Sequence, residues 1–148
     1  MSVQVRMLSE DDFDQWQELF KGYCDFYESP ADKEKIMIQW NWLHDDANML
    51  QGLVAYDENG DLAGLAHYHA WPLSIYGKEV CYLSDLFVSP VFRGKGVGKL
   101  LYRHLMDMCK EKGWPALTLL TQDGNATARS LYDQYAEASD FRFYITGV

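Results

Sequence analysis

Residues 81–113, CYLSDLFVSPVFRGKGVGKLLYRHLMDMCKEKG, decide the fold. They read in succession as an apolar strand, a glycine-rich loop and an amphipathic helix. The loop Arg93-Gly94-Lys95-Gly96-Val97-Gly98 places small residues and cations where the helix begins, with Lys99 one step further on. A helix start leaves backbone N–H groups unpaired and carries partial positive charge, so it can hold a phosphate. Glycines admit a ligand close to the backbone, and Arg93, Lys95 and Lys99 add charge-assisted contacts. The segment reads as a loop that grips a pyrophosphate.

Two other glycine loops are excluded by spacing. A Walker A loop needs Gly, four residues, then Gly-Lys-Ser/Thr. Counting back from Gly98-Lys99 puts Arg93 at the first glycine, and Leu100 replaces the metal-binding hydroxyl. The dinucleotide fingerprint needs G-x-G-x-x-G near the start of a domain, whereas Gly94, Gly96 and Gly98 run G-x-G-x-G.

The pattern Arg-x-x-Gly-x-Gly, filled by Arg93, Gly96 and Gly98 after Leu86-Phe87-Val88-Ser89-Pro90, resembles the acetyl-CoA-binding motif of the GNAT superfamily of N-acetyltransferases. A later stretch, Asn125-Ala-Thr-Ala-Arg-Ser-Leu-Tyr132, resembles the same superfamily's Asn that opens a helix carrying a Tyr. The two lie in the family order and spacing, and the clear likeness runs from about Val80 to Tyr144. The pattern is nearest to the histone- and polyamine-acetylating types. The resemblance implies an α/β (α+β) fold: a mixed central sheet with two splayed parallel strands and helices on both faces. It implies acetyl-CoA as cofactor. Leu86, Phe87 and Val88 would meet the pantetheine arm, Arg93, Gly94, Lys95, Gly96, Val97, Gly98 and Lys99 the pyrophosphate, and Asn125 and Tyr132 the sulfur end.

Working outward, Val3 to Leu8 alternates as a first strand, and Ser9 with Asp12 offers a partial capping box to the helix that follows. Phe13, Trp16, Leu19, Phe20, Tyr23 and Tyr27 recur at helical spacing. Ser29-Pro30 stops that helix and opens a second one, which runs to about Leu43. Gly52 to Tyr56 and Leu62 to Ala70 are strands about an Asn59-Gly60 turn, and Tyr76-Gly77-Lys78 turns into a strand from Glu79 to Val88. The helix after the loop buries Val97, Leu100, Leu101, Leu105 and Met108, and Gly113 ends it. Ala116 to Thr121 is a parallel strand, a helix covers about Asn125 to Ala138, and a last strand starts at Phe141.

The 148 residues, 48% of them hydrophobic, make one domain over residues 1–148 with a sizeable core. A net charge of −9, from 13 basic and 22 acidic residues, argues against nucleic acid as a partner. No apolar run of membrane-spanning length and no secretory pattern at the N-terminus stands in the sequence, so no membrane partner and a cytoplasmic protein are expected. Cys24, Cys81 and Cys109 are spaced like neither a zinc site nor a disulfide framework, and read as free thiols.

The resemblance puts Tyr132 at the position of a general acid, where a phenol faces the cofactor sulfur; a packing role beside Leu131 is the alternative. Asp85 is the candidate base or amine anchor, in a stretch that resembles the Leu-Glu-Asp-Phe-Phe-Val of diamine acetyltransferases. There an acidic residue helps with the amine, and this chain has Ser84 in its place. His67 and His69 stand two apart and so share a face of their strand, where such a pair could relay a proton or act as base, and His67 is a candidate for the acceptor site. A strand histidine with satisfied ring nitrogens is the alternative, and no third ligand at telling spacing suggests a metal. Among the aromatic residues near the first helices, Tyr27 and Trp42 are candidates for holding a cationic acceptor. The expected activity is acetyl transfer to a primary amine: a small amine, a polyamine or a basic side chain. A CoA-binding domain without transfer activity, and a transferase of another acyl group, are the alternatives. The tail ends one strand short of the common pattern, which exposes a sheet edge and invites a homodimer through the C-terminal strand.

Overall fold

The computed structural model describes residues 2–148. Five strands form one sheet in the order β1 (Val3–Met7), β2 (Gln51–Asp57), β3 (Leu62–Leu73), β4 (Lys78–Val88) and β5 (Leu117–Leu119). The first four pair antiparallel and β5 runs parallel to β4. Helices α1 (Phe13–Phe26) and α2 (Lys33–His44) cover one face, while α3 (Val97–Lys112) and α4 (Ala126–Tyr132) belong to the other. This is the mixed α/β architecture expected, and no helix among the described residues is long and apolar enough to cross a membrane.

Each face has its own apolar layer. Leu53, Ala66, Tyr68, Leu83, Leu101 and Leu105 close the α3 side; Trp16, Leu19, Phe20, Val54 and Leu65 close the other. Burying a side chain of this size contributes about 1.5–3 kcal/mol. The α3 stripe departs from expectation: Leu100 faces solvent and Met108 is half-buried, while Tyr102 and Cys109 are buried with Val97, Leu101 and Leu105. The three cysteines are buried and unpaired.

Local chemistry explains most element ends. Ser9 and Asp12 form a complete capping box at a single 3-10 turn before α1. Asp12 also takes both forks of Arg6, at 2.7 and 2.9 Å. The turn between β2 and β3 uses Gly60 at φ +83, but Asp57 closes it by accepting from the N–H groups of Asn59 and Asp61. Helix α2 begins at Lys33, later than Pro30, because the Asp32 side chain accepts from Lys35 N at 2.8 Å and caps it there. Gly113 ends α3 in the left-handed conformation, as its position requires.

Two expectations about the C-terminal part are corrected. Helix α4 stops at Tyr132 and not near Ala138, passing into short turns in which Gln134 N bonds to Leu131 O. From Phe141 onward there is no strand: the segment has no strand to pair with in this chain, and Phe141, Phe143 and Ile145 are exposed.

Candidate active site

Strands β4 and β5 part company, and that separation makes the site. They pair only from Cys81 to Leu83 with Leu117 to Leu119. Beyond Leu83 the edge of β4 has no strand beside it, and a cavity of about 550 Å³ opens in the wedge. Its walls are β4 from Leu83 to Val88, the end of β5 to Thr121, the loop and first turn of α3, α4, and the last turn of α1.

The loop end is built to take an anion. Gly94 and Gly96 sit at φ +76 and +78, a region that costs other residues about 1–2 kcal/mol. Gly96 is the N-cap of α3 and offers no side chain, and the first backbone bond back to it comes from Leu100. The N–H groups of Val97, Gly98 and Lys99 are thus left without helical partners, and all three residues line the cavity. Arg93 lines it too, with Nε donating to Val88 O at 3.2 Å and the guanidinium over the Phe87 ring. Lys95 turns aside: its Nζ bonds Val91 O at 3.3 Å, and it does not line the cavity.

At the other end, one extra residue on β4 redirects a carboxylate. His67 pairs with Asp85 and Tyr68 with Leu83, so Ser84 is a bulge. Before it Cys81 and Leu83 face the α3 layer; after it Leu86 and Val88 do. Asp85 and Phe87 are thereby turned toward α1. His67 Nδ1 lies 2.9 Å from Asp85 Oδ2, and Ser84 Oγ donates to the same oxygen at 3.2 Å. Burial pushes the Asp85 carboxyl up, but the hydrogen bond from its His67 neighbour, with those of Tyr23 and Ser84, holds it below its ordinary range.

Across the cavity stands Tyr132, the last residue of α4, its ring 5.6 Å from that of Tyr102. Burial, with the hydroxyls of Tyr27 and Tyr102 nearby, pushes its phenol up to about 12. Asn125 lines the cavity but spends its side-chain oxygen capping α4, accepting from Ala128 N at 3.2 Å. Thr121 Oγ1, in the same wall, is buried and has no partner. An extended group with amides fits here: the free edge of β4 and the Thr121 hydroxyl supply the polar partners, and the α3 start supplies the anion site.

The comparisons with known proteins agree with this geometry. Residues 13–136 match the model of the acetyltransferase (GNAT) family. The chain belongs to that family. The acetyltransferase is 32% identical over 143 residues to the D-amino-acid N-acetyltransferase HPA3 of Saccharomyces cerevisiae, covering 96% of this chain and 89% of that protein. Its fold matches a ribosomal-protein-alanine N-acetyltransferase from Brucella melitensis biovar Abortus 2308 with a TM-score of 0.84, at 24% identity over the full length of both. It also matches AAC(6')-Iy, solved with the bisubstrate analogue CoA-S-monomethyl-acetylneamine, with a TM-score of 0.80 at 20% identity over both full chains.

In the acetyltransferase, the cavity collects Tyr27, Ser84, Asp85, Leu86, Phe87, Val88, Arg93, Gly94, Gly96, Val97, Gly98, Lys99, Asn125 and Tyr132. Three expected site residues fall outside. Lys95 does, as noted. Trp42 stands exposed on α2, because Trp40 takes the inward position against Phe13 and Trp16. His67 is fully buried behind Asp85 and cannot touch an acceptor. His69 is further along the strand against Tyr82. Tyr23, Phe26 and Thr121 were not singled out and do line the cavity. The helical spacing of Tyr23 fits a core position as well as a cavity wall. Thr121 lies past the end of β5, which covers Leu117–Leu119 and not the expected Ala116 to Thr121, so no strand alternation marks its direction.

Proposed function

We propose that residues 1–148 form a single cytoplasmic enzyme domain that moves the acetyl group of acetyl-CoA to a primary amine of a small polar acceptor. One observation carries this reading: a single cavity joins an unpaired helix start, a free strand edge, a carboxylate and a phenol. The relatives named for D-amino acids and for an aminoglycoside-derived analogue support a small amine over a polymer.

When bound, acetyl-CoA supplies an activated acyl carbon and a thiol leaving group. The N–H groups of Val97, Gly98 and Lys99, with Arg93, hold the pyrophosphate. The edge of β4 from Leu86 to Val88, free of β5, would hold the pantetheine amides, and a backbone N–H there would stabilise charge on the acyl oxygen. Asp85 serves as the amine's anchor. At reference values, taking a proton from an ammonium onto an aspartate is uphill by about 5 kcal/mol for an α-amino group and about 9 kcal/mol for a lysine-type amine. A carboxylate held still lower is a poor base. What it does well is orient the amine and stabilise the positive charge that builds on nitrogen as the C–N bond forms. The acceptor reacts as the neutral amine, its ammonium proton having gone to solvent beforehand. The excess proton left on nitrogen after C–N bond formation, now far more acidic, passes to water.

Tyr132 offers its O–H to the departing sulfur. A phenol at about 12 is fully protonated at neutral pH. It exceeds a thiol, at about 8.5, so it acts chiefly by hydrogen bonding to the thiolate until water protonates it. Tyr23, Phe26 and Tyr27 line the acceptor end and give the amine aromatic faces. The exposed tail, alternating Phe141, Phe143 and Ile145, suits a homodimer in which it pairs with a second copy.

The test is thiol release from acetyl-CoA against D- and L-amino acids, aminoglycosides, polyamines and basic peptides, with Asp85→Asn and Tyr132→Phe alongside. Release with a small amine, reduced in both variants, is expected. Binding of acetyl-CoA with no release from any acceptor would favour a CoA-binding domain without transfer.

A further inference from the structure

His67 does not reach the cavity, yet it is among the most completely buried polar groups in the protein. Its two ring nitrogens have unlike surroundings. Trp16 Nε1 lies 3.0 Å from His67 Nε2, and an indole N–H can only donate. Nε2 must therefore be the acceptor, and a proton there would set two donors face to face. An imidazole carries at least one proton, so it sits on Nδ1. That proton points to Asp85 Oδ2 at 2.9 Å. The structure places Gln39 Nε2, a donor, 3.1 Å from Nδ1. With the proton on Nδ1 the amide takes its flipped orientation, the oxygen toward the ring. Ser84 Oγ has one proton to share between His67 O at 3.1 Å and the same carboxylate oxygen, Asp85 Oδ2, at 3.2 Å.

We propose that Trp16 and His67 are positioning residues for Asp85, a hydrogen-bond relay of one fixed direction that holds the carboxylate by Oδ2 and leaves Oδ1 to the acceptor nitrogen. The inference rests on the reading of Asp85 as the amine's anchor. The direction matters because the reverse tautomer would leave Nδ1 as an acceptor facing a carboxylate. Asp85 would then have to be protonated to bond it, and it would lose the charge the amine needs. Trp16 prevents this from two bonds away, fixed by its stack on Phe20 and its contact with Trp40. The other titratable groups that face Asp85 are Tyr23 and Cys24 of α1 and Tyr82 of β4. No lysine or arginine pairs with it among the described residues. The relay, with the Tyr23 and Ser84 hydroxyls, is then what keeps the carboxylate charged.

Two spectroscopic readouts test this without an acceptor. In wild-type protein labelled with ¹⁵N-histidine, the long-range N–H couplings of His67 should be those of the Nδ1–H tautomer. In protein labelled with ¹³C at the aspartate carboxyl, Asp85 should titrate at higher pH in Trp16→Phe than in wild type. A His67 found as the Nε2–H tautomer or as imidazolium, or an Asp85 that titrates identically in both proteins, overturns the relay. If Trp16→Phe does not fold, the wild-type tautomer decides, and His67→Phe repeats the carboxyl titration. Asp85→Asn in the thiol-release assay separates the two readings. Unchanged activity there, with the Nδ1–H tautomer present, removes Asp85 from the acceptor site and overturns the relay's stated purpose. Lost activity with the wrong tautomer overturns the relay and keeps Asp85.

Discussion

At the scale of single residues, two acidic groups answer to pH in the same direction for different reasons. Asp12 is held below its ordinary range first by the Arg6 hydrogen bonds. Asp85 is held low against its own burial by its donors. A carboxyl lowered by folding contributes stability that is whole above the unfolded value of about 3.9 and is lost as pH falls through the folded one. Urea midpoints should therefore be flat from neutral pH down to about 5 on account of these two groups, and fall below about 4. Asp12→Asn should remove about 1.5–3 kcal/mol at neutral pH, measured by the same unfolding curves, and flatten the acid loss. Tyr132 runs the other way. Its phenol is raised, so kcat should show no alkaline loss from this group below about pH 10. Tyr132→Phe should lower kcat by about 10–100-fold with the acetyl-CoA Kd unchanged, since only an O–H is removed. An equal loss in Kd would point to a packing role beside Leu131.

At the scale of elements, glycines set how closely the pieces approach the wedge. A Cβ on Gly64 of β3 would stand 2.8 Å from the backbone oxygen of Phe87 on β4, which cannot yield without moving the strand. Gly64→Ala should cost about 2–3 kcal/mol, read as a lower thermal midpoint. Gly22 of α1 is the opposite case. A Cβ there meets the Phe87 ring at 2.8 Å, and a ring can swing. Gly22→Ala should leave the fold in place, push Phe87 into the cavity it lines and weaken acetyl-CoA binding, as calorimetric titration would show. The same approach explains what was legible here. The loop and its helix could be read because glycine spacing and helix-start chemistry are local. The bulge at Ser84 could not, because it exists only through the pairing of His67 with Asp85 and Tyr68 with Leu83. Trp40 and Trp42 show the same limit. Only Trp42 is expected at the acceptor, and it is the packing of α2 on Phe13 and Trp16 through Trp40 that leaves Trp42 in solvent.

At the scale of the whole molecule, the open question is what covers the tail. Phe141 is 85% exposed and Ile145 81%, an arrangement a soluble chain rarely leaves uncovered. A second copy adding this segment to its own sheet would bury it. Size-exclusion with light scattering should give a dimer for the full chain and a monomer for a chain ended at Ala138, with thiol release retained by the shortened form if the site is complete in one copy. A full chain that is monomeric at micromolar concentration would refute the pairing.

The sequence by itself determined the order of strands and helices as far as the helix opened by Asn125, the glycine loop and the family, because each rests on periodicity, capping and glycine placement over a few neighbouring residues. It also named Asp85 and Tyr132. Tertiary structure alone decided that these two share one cavity. It decided too that His67 stands behind Asp85 and not beside the acceptor, and that Trp16 dictates where the His67 proton lies. The reason is separation along the chain. Trp16, His67 and Asp85 lie 51 and 18 positions apart, and no local rule relates residues that only sheet pairing and helix packing bring within a hydrogen bond.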